Sequence, residues 1–144
     1  MSITANKVEH QFSDLNIIIT NLLQQTGYAK HNELTISSTD DPANDRFLQD
    51  EYLRLLTELD DMKIKIEYLQ KPILAEGTLM KNKNGRYELE PSLELTSGYP
   101  IEFLYYDDFY QCETWVASRI EHSTDYYVVD YPDVPLEGLK VRIR

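Results

Sequence analysis

Residues 41–72 read DPANDRFLQDEYLRLLTELDDMKIKIEYLQKP, and within them Leu48, Tyr52, Leu55, Leu59, Met62, Ile66 and Leu69 recur in alternating steps of four and three. That rhythm keeps one side of an α-helix apolar, in the pattern of helices that lie along another helix. The ends are marked as well. Asp41 suits the N-cap and Pro42 the first turn, while Asp40, Asp41 and Asp45 set negative charge at the positive helix end. Lys63, Lys65 and Lys71 suit the other end, and Pro72 stops the run. The helix should span about 29 residues, roughly 43 Å at about 1.5 Å per residue.

Upstream, Val8, Phe12, Leu15, Ile19 and Leu22 repeat the rhythm. They predict a helix of about 19 residues from about Thr4 or Lys7 to Gln25, closed where Gly27 can turn left-handed. The connector from Gly27 to Asp41 is polar, with Leu34 and Ile36 as a possible short strand. If the helices fold back antiparallel, about ten residues of the longer one keep an apolar seam without a helical partner in the chain. The β module or a second copy must then cover it, so a homodimer through the helices is expected; the alternative is that both stripes pack within one monomer.

From Ile73 the period changes to two. Ala75 to Lys81 and Arg86 to Leu89 flank Asn82-Lys83-Asn84-Gly85, a strong hairpin signal. Further strands are expected at Ile101 to Tyr106, Thr114 to Glu121, Tyr126 to Tyr131 and Leu139 to Arg144. The fold class is therefore α+β: a two-helix coiled-coil hairpin over 1–71, then a small all-β domain over 72–144. That domain should be an antiparallel barrel or curled sheet of SH3-like type.

Acidic residues outnumber Lys plus Arg by 25 to 14, giving a net charge of −11. Such a surface repels nucleic acid and anionic membranes and attracts basic proteins. Direct nucleic-acid binding is not expected. The single cysteine, Cys112, forms no internal disulfide, and neither a secretory leader nor a membrane span is legible, which fits a reducing cytoplasm. No cofactor or metal is expected: His10, His31 and His122 are dispersed, Cys112 lacks a ligand partner, and no phosphate-binding loop is present. Cys112 with His122 is conceivable as a nucleophile and base, but no loop signature supports the pair. The chain reads as no enzyme.

The β half resembles a family named domain of unknown function 5348, found in Gram-positive bacteria and their mobile elements. The residues that carry the resemblance are Glu76-Gly77-Thr78-Leu79, Asn84-Gly85-Arg86-Tyr87, Gly98-Tyr99-Pro100-Ile101-Glu102, Trp115 with Arg119-Ile120-Glu121-His122, Tyr126-Tyr127, and Gly138 to Ile143. It covers about 77–144. The family transfers no catalytic residues; it implies a context of plasmids, conjugative elements and phages, whose small acidic proteins are often inhibitors of host defence.

Two groups of residues are candidates for partner binding. Asp45, Asp50, Glu51, Glu58, Asp60 and Asp61, with Asp40 and Asp41, form an acidic strip that either imitates phosphates or is a solvated helix face. Tyr105, Tyr106, Asp107, Asp108, Tyr110 and Tyr126 place tyrosine beside carboxylate, which is interface chemistry, or else barrel filling and turn making. Lys140, Arg142 and Arg144 share one face of the last strand; they either touch RNA or an acidic partner, or pair with acids such as Glu102 or Glu121. Trp115 is expected in the core. These residues point to an acidic binding protein that occupies a basic surface on a nucleic-acid-processing host protein, most concretely an anti-CRISPR inhibitor of Cas9. The alternative is a dimeric structural or adaptor protein whose β domain binds a peptide or protein.

Overall fold

The computed structural model describes residues 1–37, 40–89 and 93–144. It divides into a helical unit, Met1–Lys71, and a β unit, Pro72–Arg144. Helices come first and antiparallel sheet follows, the expected α+β order. None of the described helices is long and apolar enough to cross a membrane.

In the helical unit, α1 (Ala5–Gln25) is capped by Thr4, whose hydroxyl accepts from the Lys7 amide. Gly27, at φ +80°, turns the chain into the one-turn helix α2 (Tyr28–His31). The 29-residue α3 (Pro42–Gln70) starts at Asp41, whose carboxylate accepts from the Asn44 amide at 3.1 Å. Both long helices thus begin and end close to where their cap residues place them. The connector runs through Ser38 and Thr39, which lie outside the described residues. Its Leu34 and Ile36 form no strand: Leu34 joins the helical core, and the Ile36 amide donates to Gln49 Oε1 at 3.1 Å.

Hydrogen bonds fix the helix pairing. Gln70 donates to Ser13 Oγ at 2.8 Å, Asn16 to Glu67 at 3.4 Å, and the Tyr28 hydroxyl to Thr57 at 3.3 Å. As one residue number rises its partner's falls, so α1 and α3 run antiparallel. The buried stripe differs from the expected one in phase. Ile19, Leu23, Tyr28, Leu56 and Ile66 are buried, with Leu15, Leu34, Leu53 and Leu59 against them. Leu22 and Leu55, which the rhythm selects, lie exposed while their successors Leu23 and Leu56 are inside. Polar groups take part of the contact: Ser13 and Asn16 bond across to Gln70 and Glu67, and the apolar stripe straddles the contact instead of centring on it.

Among its described residues the β unit has eight strands in two sheets. One contains β1 (Ala75–Thr78), β5 (Pro100–Asp107), β6 (Cys112–His122), β7 (Tyr126–Val128) and β8 (Lys140–Ile143) in the order β1-β8-β5-β6-β7. The other contains β2 (Met80–Lys81), β3 (Tyr87–Leu89) and β4 (Leu93–Leu95) in sequence order. Every pairing is antiparallel. The expected hairpin at Asn84-Gly85 is present. Gly85 takes φ +76°, and Asn82 Oδ1 accepts from the amides of Asn84 and Arg86.

The barrel expectation is corrected. Among the described residues β1 and β7 remain edges of one sheet and β2 and β4 of the other, so no ring closes. The run Ala75 to Lys81, expected as one strand, changes sheets at Leu79. That residue is fully buried, and its amide and carbonyl bond to Leu139 and Gly138. One strand thereby forms a corner. The two inner faces share a core of Leu79, Leu89, Leu95, Ile101, Phe103, Ile120, Val128 and Val141, each at most 1% exposed. Alternation then fixes the opposite face of the larger sheet: Glu102, Leu104, Tyr106, Trp115 and Arg142. Trp115 therefore lies outside the core cluster, on the face away from it.

Candidate partner-binding surface

Strands β5 and β6 pair from Pro100↔Arg119 to Asp107↔Cys112. Their outer neighbours do not follow them that far. Among the described residues β8 meets β5 at Glu102 and Phe103 alone, and β7 meets β6 from Ile120 to His122 alone. Beyond Leu104 and Trp115 the two strands therefore continue as a two-stranded arm. Three residues on each strand, 105–107 and 112–114, at about 3.4 Å each make it roughly 10 Å long.

The tip of the arm is shaped by Asp107. Its Oδ1 accepts from the amides of Phe109 at 2.9 Å and Tyr110 at 3.1 Å, an Asx turn. Gln111 completes the reversal at φ +51°. The turn holds Phe109 and Tyr110 edge to face, ring centroids 4.9 Å apart, although the two side chains are 85% and 70% exposed. Tyr106 is also exposed and lies across from Glu113. Three exposed aromatic rings beside Asp108 and Glu113 form an amphipathic, acidic prong. Large rings with few rotatable bonds contribute interface area at low entropic cost.

The other tyrosines of the group have structural settings. Tyr105 packs edge to face on Phe103 and Tyr131, and Tyr126 on Tyr87 and His122. Phe109, the most exposed aromatic of the arm, was not among the sequence candidates; its place between two carboxylates and a tyrosine was the available signal. Asp125 makes its turn. It accepts from its neighbour's amide and pairs with Lys81 at 3.4 Å, and the backbone hydrogen bond from Tyr126 holds its carboxyl below the usual range.

The acidic strip of α3 is not a continuous field. Arg46 pairs with Asp50 at 3.6 Å and Arg54 with Glu51 at 3.2 Å. Glu58 and Asp61 are exposed on that outer side, whereas Asp45 is half-buried in the first turn. Asp60 turns away and lines a small polar cleft with Lys63, Thr20 and Tyr28.

The basic strand end is neutralised. Glu102, only 4% exposed, accepts from Arg142 at 2.6 Å and Arg144 at 2.5 Å, and Lys140 approaches Glu76 at 3.6 Å. Arg142 also stacks over Trp115, 4.3 Å from the ring centroid. Glu121 is taken instead by Ser97 and Arg119, which lower its pKa in that order. The pairing alternative for these cations therefore describes the structure. Cys112 and His122 stand at opposite ends of β6, roughly 33 Å apart at about 3.3 Å per residue, so they form no catalytic pair. Among the described residues no group of three or more His, Cys, Asp or Glu side chains is placed to hold a metal.

No curated protein and no solved structure matches the chain. Residues 77–143, which hold β2 through β8 entire, match the family model of a domain of unknown function, DUF5348.

Proposed function

We propose that this chain is a non-enzymatic binding protein that occupies a basic groove on a nucleic-acid-processing host protein, with the β5–β6 arm as its leading contact. The observation that carries the reading is the arm's tip: Tyr106, Phe109 and Tyr110 stand exposed beside Asp108 and Glu113 on a molecule of net charge −11. Aromatic anchors inside an acidic field fit a surface built of Lys and Arg, which steers and then holds such a partner. The resemblance of the β half implies a context of Gram-positive mobile elements, and in that context Cas9 is the concrete partner we propose, because its channel is positively charged and its PAM is read by arginines. On this reading the protein acts as an anti-CRISPR inhibitor in the cytoplasm, its helices as a coiled-coil hairpin and its β unit as an SH3-like module in the wide sense of a curled sheet that binds through its loops.

Adding the purified protein in excess to Cas9–guide RNA cleavage reactions tests this. Cleavage should stop with the wild type. It should return with Tyr106→Ser/Phe109→Ser/Tyr110→Ser, since removing central aromatic anchors typically costs about 2 kcal/mol or more, roughly 30-fold in affinity. Asp108→Asn/Glu113→Gln should weaken inhibition mainly at low salt. Asp107 is left intact because it builds the turn. Unchanged cleavage with excess wild type rejects the Cas9 assignment.

A further inference from the structure

Both long helices leave apolar side chains uncovered on one side of the helical unit. Val8 and Phe12 of α1 open onto the same cleft, of about 500 Å³, as Met62 and Lys65 of α3, with Ile66 on its lining. Along α3 the uncovered side continues through Leu55 and Tyr52, both about half exposed, and along α1 through Leu22. Positions three and four apart share a helix face, so these residues form one seam. From the half-buried Leu48 to the exposed Met62 it is about 21 Å long. Two helix widths of about 10 Å give it a flat projection of roughly 420 Å², about half of the roughly 800 Å² per partner of a standard interface, the size of a modest dimer contact.

We propose that this face is covered by a second copy of the chain, α3 lying antiparallel against α3 across a two-fold axis near Glu58. The seam is complementary to itself. In the antiparallel register, Tyr52 meets the second copy's Met62 and Leu55 the half-buried edge of its Leu59, and each pairing recurs by symmetry. The same register sets Glu51, on the flank of the seam, beside the second copy's Lys65, twice. At present Glu51 has only an exposed contact with Arg54, and Lys65 lies over the Tyr68 ring. A foreign helix would have no reason to match both the layers and the flanking charges. Glu58 meets its own copy at the axis, the one repulsive contact.

The test is sedimentation equilibrium of the full chain from about 1 to 100 µM, spanning the micromolar affinities of modest interfaces. The wild type should associate to twice the chain mass, and Leu55→Glu/Met62→Glu should stay at one chain with an unchanged circular dichroism spectrum, both residues being exposed in the single chain. Glu58→Gln should tighten the dimer several-fold. Glu51→Lys and Lys65→Glu should each weaken it, and mixing these two variants should restore association, because their flanks then match. A wild type that stays at one chain mass overturns the proposal. So does a dimer indifferent to Leu55→Glu/Met62→Glu, or a mixture that fails to associate.

Discussion

Glu102 holds two guanidinium groups, Arg142 and Arg144, whose side chains are 22% and 15% exposed against 5% for its own. Removing one partner of a buried ionic group strands the others, at a cost of about 3 kcal/mol or more. Glu102→Ala should therefore lower the urea midpoint sharply, whereas Glu76→Ala, which loses only an exposed contact with Lys140, should change stability by less than about 1 kcal/mol. Acid should loosen the fold through a different set. Lys63 and Asn16 hold Glu67 below the ordinary carboxylate range, Arg86 and Asn82 do so for Glu94, and Ser97 and Arg119 for Glu121. Each folded-state pKa lies below its unfolded value, so the stability is complete above that range and disappears as pH falls through it and through the folded values. Urea midpoints should accordingly drop between about pH 5 and pH 3, and Glu67→Gln should flatten part of that slope. Single residues were unevenly legible. The pairing of Arg142 with Glu102 follows from strand alternation, but the face of Trp115 does not. An aromatic flanked by Thr114 and Val116 reads equally well inward or outward until the register Leu104↔Trp115 is known.

At the scale of elements, ends were easier to read than phases. Caps are local chemistry: Asp41 with Pro42 starts α3, and Pro72 lies just past Gln70, where α3 ends. Asp41→Ala should cost about 1 kcal/mol, read in a thermal melt of the full chain. Which side of a helix is buried depends on its neighbour. The rhythm through Leu55 finds an apolar side, yet Leu55 is 54% exposed and Leu56 only 4%. Under dilute, single-chain conditions Leu56→Ala should therefore cost about 3 kcal/mol and Leu55→Ala less than about 1 kcal/mol. Equal costs in urea titrations would show the phase to be wrong. The β strands were legible by alternation and turn residues, except where tertiary geometry intervened. Leu79 divides one apolar run between two sheets, and the three-residue β4 is too short to declare itself. The arm was legible as residues and not as a shape, because a strand's overhang depends on where its neighbours stop.

For the whole molecule, composition speaks more clearly than any single side chain. A net charge of −11 surrounds the chain with a negative field, which on the proposed function favours a basic partner, and several of its cations are taken up in internal pairs, Arg142 and Arg144 among them. What composition does not reveal is where the field is joined to apolar area; that conjunction exists at the arm. On the proposed function the protein acts by covering a surface and leaves its partner chemically unchanged. Titrating it against a fixed concentration of Cas9–guide RNA complex, with preincubation times from seconds to hours, tests this directly. Inhibition should saturate near one chain per complex, be independent of preincubation, and weaken as salt shortens the screening length from about 10 Å at 0.1 M. Full inhibition by a small fraction of an equivalent, deepening with time, would show turnover and contradict a role as a stoichiometric binder.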